Sequence, residues 1–223
     1  MQQYLIAPLL LAVAFLVLFG LAEYLYRIQK VRAEFTRKLV HFGTGIITLL
    51  FPVLLVNHWQ VLFLCSSFLL LLVTSLKFNL LPSINAIDRQ SYGSLLYPVA
   101  VYGTYLVYTL AGKGDILFYL PILILAVCDP VAALIGKRCP RGSFRIGAGH
   151  KTASGSLAFF ISCVVLSSTM LVGTFPEASF FWQLFIASIL ISLCLTAVEA
   201  VGSHGVDNLL LPLSAAGALY LLL

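Results

Sequence analysis

The sequence predicts an all-α, polytopic membrane helix bundle, and three observations predict it. Of 223 residues, 61% are apolar and only 9% charged, against a charged share of about 25% in soluble domains. The apolar residues fall into runs close to the roughly 20 that a bilayer-crossing helix needs. The basic residues fall between those runs, so no soluble charged face is formed. About eight spans follow, at Leu5–Tyr26, Leu39–Val56, Val61–Leu76, Ser94–Ala111, Ile116–Ile135, Thr152–Gly173, Phe180–Val201 and Asn208–Leu223. A soluble globular fold is excluded. With no repeat of fixed period and no low-complexity stretch, residues 1–223 read as one integral-membrane domain.

The first run has no positive residue before it and no small-residue cleavage site, so it is expected to be a retained anchor. The later spans are ordered by the loops between them. Arg27, Lys30, Arg32, Arg37 and Lys38 follow the first span, Lys77 and Arg89 the third, and Lys137, Arg138, Arg141, Arg145 and Lys151 the fifth. The opposite loops, 57–60, 111–115 and 174–179, contain only Lys113. A 12:1 split of the 13 Lys and Arg residues expects the basic face to be cytoplasmic and both termini to lie outside. The net charge of +5 then reports topology and anionic ligands at the membrane, and nucleic acid is not an expected partner. The five cysteines show no C-x-x-C pair and no spaced His, so neither a zinc site nor a disulfide framework is indicated. Four of them lie in apolar runs as packing residues.

The same topology sorts the polar chemistry, because four separate segments converge on the basic face. Asp129, in ILILAVCDPVAALIG, lies about six residues, roughly 9 Å of helix, inside the end of the fifth span. A carboxylate there costs about 2.5–3.5 kcal/mol on insertion scales and marks a functional site by default. Pro130 removes a backbone donor and frees the carbonyl of Ala126, so the helix is expected to distort. An acid beside a freed carbonyl suits a hard cation such as Mg²⁺. The structural alternative is an Asp paired with Lys or Arg of another helix.

The loop GKRCPRGSFRIGAGHKTASGS combines five Lys/Arg with glycines, the composition that surrounds phosphate oxygens; the plainer reading is topology and contact with lipid headgroups. Its GAGHKT string is not a P-loop, which would need glycine where Arg145 and His150 stand. Arg37 and His41 are four apart and share a helix face, so one phosphate or carboxylate can touch both. Asp88-Arg89-Gln90 precedes the fourth span as a cap or a substrate-hydroxyl contact, with Ser94 the expected cap. Glu199 and Asp207 end two helices across a turn holding Gly202, Ser203, His204 and Gly205, where they can share a divalent cation. Asp207 also suits the N-cap of the last span.

Together, R-K-x-x-H, S-Y-G-S-L, D-P-x-A-A-x-x-G-K followed by K-T-x-x-G-S, and E-x7-D-N-L-x-x-P resemble the dolichol kinase, phytol kinase and CTP-dependent diacylglycerol kinase family, from about Arg37 to Pro212. The S-Y-G-S-L-L-Y-P segment is closest to the phytol kinase branch. The resemblance implies a polytopic enzyme that phosphorylates a membrane lipid alcohol, with CTP as co-substrate and Mg²⁺ as cofactor. It implies that Gly136, Lys137, His150, Lys151, Thr152, Gly155 and Asn208 bind the nucleotide, and that Asp129, Asp207 and Glu199 hold the metal. Arg37, Lys38, His41, Asp88 and Asp129 would form the catalytic set, with the base open among Asp88, His41 and Asp129.

The family is similar to phosphatidate cytidylyltransferase, whose C-terminal signature is missing where VEAVGSHGVDNLLLP stands. CDP-lipid synthesis is the second reading. A small-solute transporter would gather its polar residues near the midplane between repeated halves, and here they crowd one face. A membrane scaffold leaves Asp129 and the acidic pair unexplained. Which lipid alcohol is used, and whether the chain is a monomer or homo-oligomer, stay open at this level.

Overall fold

The computed structural model describes residues 2–86, 91–146, 149–176 and 181–223. Among these, seven helical segments are long and apolar enough to cross a membrane. The first is α1 (Gln2–Arg27), and the second joins α2 (Ala33–Thr48) to α3 (Phe51–Leu54). Next come α4 (His58–Phe78), the short α5 (Pro82–Asn85) and α6 (Gly93–Ala111). The fifth crossing is composite: α7 (Ile116–Leu123), a π-helical turn (Ile124–Cys128) and α8 (Asp129–Arg138). Strands β1 (Ser143–Ile146) and β2 (Gly149–Thr152) lead into α9 (Ala153–Thr174), α10 (Phe181–Val201) and α11 (Asp207–Leu222).

The eighth expected span is shorter than a full crossing. α11 has 16 residues, or about 24 Å of helix, against a hydrocarbon core of about 30 Å. It nevertheless reaches the far end of the bundle, where Lys113 Nζ, in the loop after α6, donates to the Tyr220 carbonyl at 2.9 Å and lies over the Tyr220 ring. The chain therefore passes through the bundle eight times, and both of its ends lie away from the basic end. Trp59 and Trp182, at the starts of α4 and α10, are exposed at that far end, as expected of aromatic anchors at a membrane interface.

The composite crossing is the central one. In its most apolar window 67% of residues are buried, against 22–33% in the other six. Its two faces feed two half-cores at helical spacing. Phe118, Ile122 and Leu125 pack with α1, α2, α4 and α6, whereas Leu117, Leu120, Ile124 and Cys128 pack with α9, α10 and α11. A helix apolar all round belongs inside a bundle. The opposite pattern marks the outer helices, where Leu9, Val17, Phe63 and Leu190 are exposed in the manner of lipid-facing side chains.

The basic loop takes a regular form not expected from its composition. β1 and β2 pair antiparallel, with Phe144 opposite Lys151 and Arg145 opposite His150. Helix caps also differ from the expectation. Ser94 lies inside α6, and Ser91 Oγ accepts from the Gly93 amide at 3.3 Å. Val206 occupies the N-cap of α11, so Asp207 is its first-turn acid, where the helix dipole favours negative charge.

Single cysteines introduced at Ser143 and at Asn57, in a background lacking exposed Cys139 and Cys194, are expected to react with an impermeant thiol reagent from opposite sides of sealed cells, Asn57 from outside. Labelling of both from one side would contradict the eight-pass path.

Candidate functional site

The four turns at the basic end close on one another through short polar contacts. The Tyr92 amide donates to the His204 carbonyl at 2.8 Å, and the Asn208 side-chain amide donates to the Gly93 carbonyl at 3.0 Å. Arg37 Nη1 donates to Ser91 Oγ at 3.2 Å. Lys137 pairs with Glu34 on the exposed rim. Gly205 has φ +86°, and a Cβ there would come within 2.3 Å of the Gly93 nitrogen. Only glycine lets the α10–α11 turn lie against the start of α6.

These turns surround one cavity of about 490 Å³. Arg37, Lys38, His41, Asp129, Gly136, Lys137, His150, Lys151, Thr152, Gly155, Glu199, Asp207 and Asn208 all line it. Of the site residues expected from sequence, only Asp88 is not among them, and it lies outside the described residues. The cavity has two regions. Its mouth is charged and lies among the turns; its inner arm runs between α1, α2, α4 and α6 and is walled by Phe15, Phe19, Val40, Leu64, Phe68 and Leu72.

Lys151 organises the mouth. Its ammonium donates to Glu199 Oε1 and lies 3.4 Å from Asp207 Oδ2. Ser156 Oγ donates to the other Glu199 oxygen at 3.3 Å. Glu199 is buried, and its charge is tolerable because it is paired. Burial opposes the charged form of Lys151, but the Asp207 and Glu199 carboxylates outweigh it and raise its pKa above the ordinary 10.5. The space between Glu199 and Asp207, where the sequence suggests a divalent cation, is filled by this ammonium. Among the described residues no three His, Cys, Asp or Glu side chains form a group able to hold a metal ion.

Asp129 is in a different state. It begins α8 directly after the π-turn, and His41 Nε2 is its one ion-pair neighbour among the described residues, at 3.9 Å. The wide turn exposes the carbonyl of Leu125, one residue before the Ala126 carbonyl expected from Pro130, and His41 Nε2 lies 2.8 Å from it. A carbonyl oxygen only accepts, so Nε2 carries hydrogen and Nδ1 is left as the nitrogen able to take a proton. Tyr97 fixes the ring from the side, edge-on at 5.0 Å between centroids, and its hydroxyl donates to the His41 carbonyl at 3.3 Å. Lys38 lines the same cavity, with no carboxylate within ion-pair distance among the described residues.

Several nucleotide-site expectations meet structural duties. Thr152 caps α9, accepting the Gly155 amide at 3.1 Å. A Cβ on Gly136 would meet Thr152 Oγ1 at 2.7 Å and the Gly155 Cα at 3.4 Å, so the two glycines let α8 and α9 approach closely, as small residues do in membrane bundles. The cavity also includes Glu34, Ser91, Tyr97, Ser156 and His204, to which the sequence assigned no role. Glu34 carries the clearest signal, as the one acid within a run of five basic residues.

A phytol kinase of Synechocystis sp. is 29% identical to this chain over 196 residues, which cover 87% of the chain and 82% of the relative. This supports the polyprenol and phytol kinase-like family. No family model matches the sequence, and no solved structure matches it.

Replacing Lys151 by Met leaves Glu199 buried without its cation, a change that costs about 3–5 kcal/mol when a buried pair is broken. A clear fall in thermal midpoint is expected, with much of it regained in Lys151→Met/Glu199→Gln. Because the folded-state pKa of Lys151 is raised, its stabilisation is present below about 10.4 and is lost as pH climbs through the folded value. A double variant no more stable than the single one would separate the two residues energetically.

Proposed function

We propose that the protein is a membrane lipid-alcohol kinase that uses CTP, working at the cytoplasmic face. The observation that carries this reading is the continuity of one cavity from a charged mouth to an apolar arm. An alcohol with a long apolar chain fits that division, with its hydroxyl at the level of Asp129 and His41 and its chain among the phenylalanines. The nucleotide arrives from water at the basic end. The phytol kinase relative supports phosphoryl transfer to such an alcohol, and the preference for CTP rests on the family resemblance.

Phosphoryl transfer asks chiefly for positioning and charge neutralisation. Lys38, which forms no ion pair among the described residues, is assigned to the phosphates, with Arg37, Lys137 and Lys151 around it. Mg²⁺ usually takes one or two carboxylates and completes its shell with phosphate oxygens and water, so Asp129 fits as its protein ligand without a three-residue cluster. The bound ion would neutralise the charge developing on the β- and γ-phosphates. The lipid oxygen forms a bond to the γ-phosphorus as the bridging bond to the β-phosphate breaks, and CDP leaves. The hydroxyl proton passes to a base drawn from Asp129, Asp88 and Nδ1 of His41.

Purified protein given Mg²⁺, a lipid-alcohol extract and CTP labelled at the γ- or the α-phosphate is expected to place only γ label on lipid and to release CDP. Lipid-bound α label with pyrophosphate would overturn the kinase reading in favour of CDP-lipid synthesis. Asp129→Asn keeps the shape and removes the charge, and is expected to lower turnover by roughly 10²-fold or more with little change in thermal midpoint. Near-normal turnover in that variant would make Asp129 structural.

A further inference from the structure

We propose that Phe51 is the floor of the apolar arm and sets the length of alcohol chain that the site accepts. This rests on the lipid-alcohol reading above, and it adds the residue that would fix substrate length. Phe51 lies further from the mouth than any other residue of the α2–α3 crossing that lines the cavity. Its side chain is only 1% exposed. Behind it the ring of Phe118, itself fully buried, is stacked at 6.5 Å with an interplanar angle of 17°. Phe118 is in turn held edge-on by Tyr105 at 5.4 Å. Phe15 meets the Phe51 ring from the side at 6.2 Å. Two further aromatic rings, Phe118 and Phe15, thus pack on Phe51, with Tyr105 behind Phe118, and none of the far-end loop residues 55–58 lines the cavity. The arm is closed at this level.

The depth follows from the helix. His41 stands at the level of Asp129, and Phe51 is ten residues further along the crossing, about 15 Å at 1.5 Å per residue. An extended chain of tetrahedral and planar centres advances about 1.1–1.2 Å per bond, taking 3.3–3.6 Å for the three backbone bonds of a residue. The arm therefore accommodates roughly 12–14 bonds in line. The cavity volume of about 490 Å³ lies within the roughly 300–1,000 Å³ of sites that hold one small ligand. It suits a single chain of this length, branched or not. A two-chain alcohol, or a polyprenol several times longer, would have to leave the arm.

The test uses the full chain in lipid nanodiscs and a series of straight-chain primary alcohols from about 8 to about 20 carbons. Binding is read without nucleotide as the rise in thermal midpoint at fixed alcohol concentration, since a ligand that binds only the folded state stabilises it. Phosphoryl transfer is read separately with CTP and Mg²⁺. The wild type is expected to respond best near 12–14 carbons. Phe51→Ala, which opens about one ring length, is expected to move the optimum up by roughly four carbons, and Phe51→Trp to move it down. Phe51→Leu gives a smaller upward step if the alanine variant folds poorly. Phe63→Ala, on the outer surface of α4, is expected to leave the optimum in place. An optimum unmoved by all three Phe51 changes overturns the floor, even if transfer proceeds. A moved binding optimum without transfer to any alcohol keeps the floor and removes the kinase reading.

Discussion

One ammonium bridges two carboxylates at the charged mouth of an otherwise apolar bundle, and the basic end of the molecule is arranged around that pairing. Lys151 comes from a β-strand, Glu199 from the end of α10 and Asp207 from the start of α11. An unpaired charge at any of these positions would be expensive in a surrounding of low polarity. Meeting the requirement draws the hairpin against the α10–α11 turn. The same turn is held to the start of α6 by the Asn208 amide and the Tyr92 amide. Arg37 extends the chain of contacts to α2 through Ser91. The cavity mouth is thus a closed ring of turns in which each element is located by a polar contact with its neighbour.

The alternating course of the helices was legible because charge is so unevenly distributed. Twelve of 13 basic residues lie in alternate loops, and that alone brings Arg37, Asp129, Lys151 and Glu199 to one end. That these residues share one end of the bundle was therefore readable from topology, before any contact was known. The contacts were less so. Glu199 and Asp207 read as a pair open to a cation, because sequence spacing says nothing of a lysine 48 residues away from Glu199. The glycine-rich loop gives no alternating apolar pattern, and its hairpin is fixed by tertiary contacts such as those of Lys151 with Glu199 and Asp207 rather than by strand propensity. Ser94 carried the expectation of a cap, but the N-cap of α6 is Tyr92, which makes no side-chain cap bond, and Ser91 lies one residue further out, bonded to Arg37 and the Gly93 amide. Asp88 lies outside the described residues, and the structure neither adds to nor removes from its candidacy.

His41 illustrates how a backbone irregularity reaches the chemistry. In a regular helix each carbonyl is occupied by the amide four residues on, and a neighbouring histidine finds no free oxygen. The π-turn makes one available at Leu125. The imidazole is thereby held in one tautomer, with Tyr97 against its face and backbone, and its remaining nitrogen is separated from the Leu125 contact by the width of the ring. A histidine at the same sequence position beside an unbroken helix would have no such orientation.

The π-turn also sets the rotational phase of the central crossing. Each residue in an α-helix turns the chain by about 100°, and a π-turn carries one residue more per turn than the α-helix on either side. Everything beyond Cys128 is consequently offset by about that angle from where an uninterrupted helix would place it. Upstream, the face bearing Phe118, Ile122 and Leu125 looks toward α1, α2 and α4; downstream, Asp129 looks into the cavity that those helices enclose. Loss of a single residue between Ile124 and Cys128 would remove the extra residue of the π-turn and rotate the carboxylate away from the mouth. The turn is therefore constrained in the number of its residues as well as in their fit to the two half-cores that they feed.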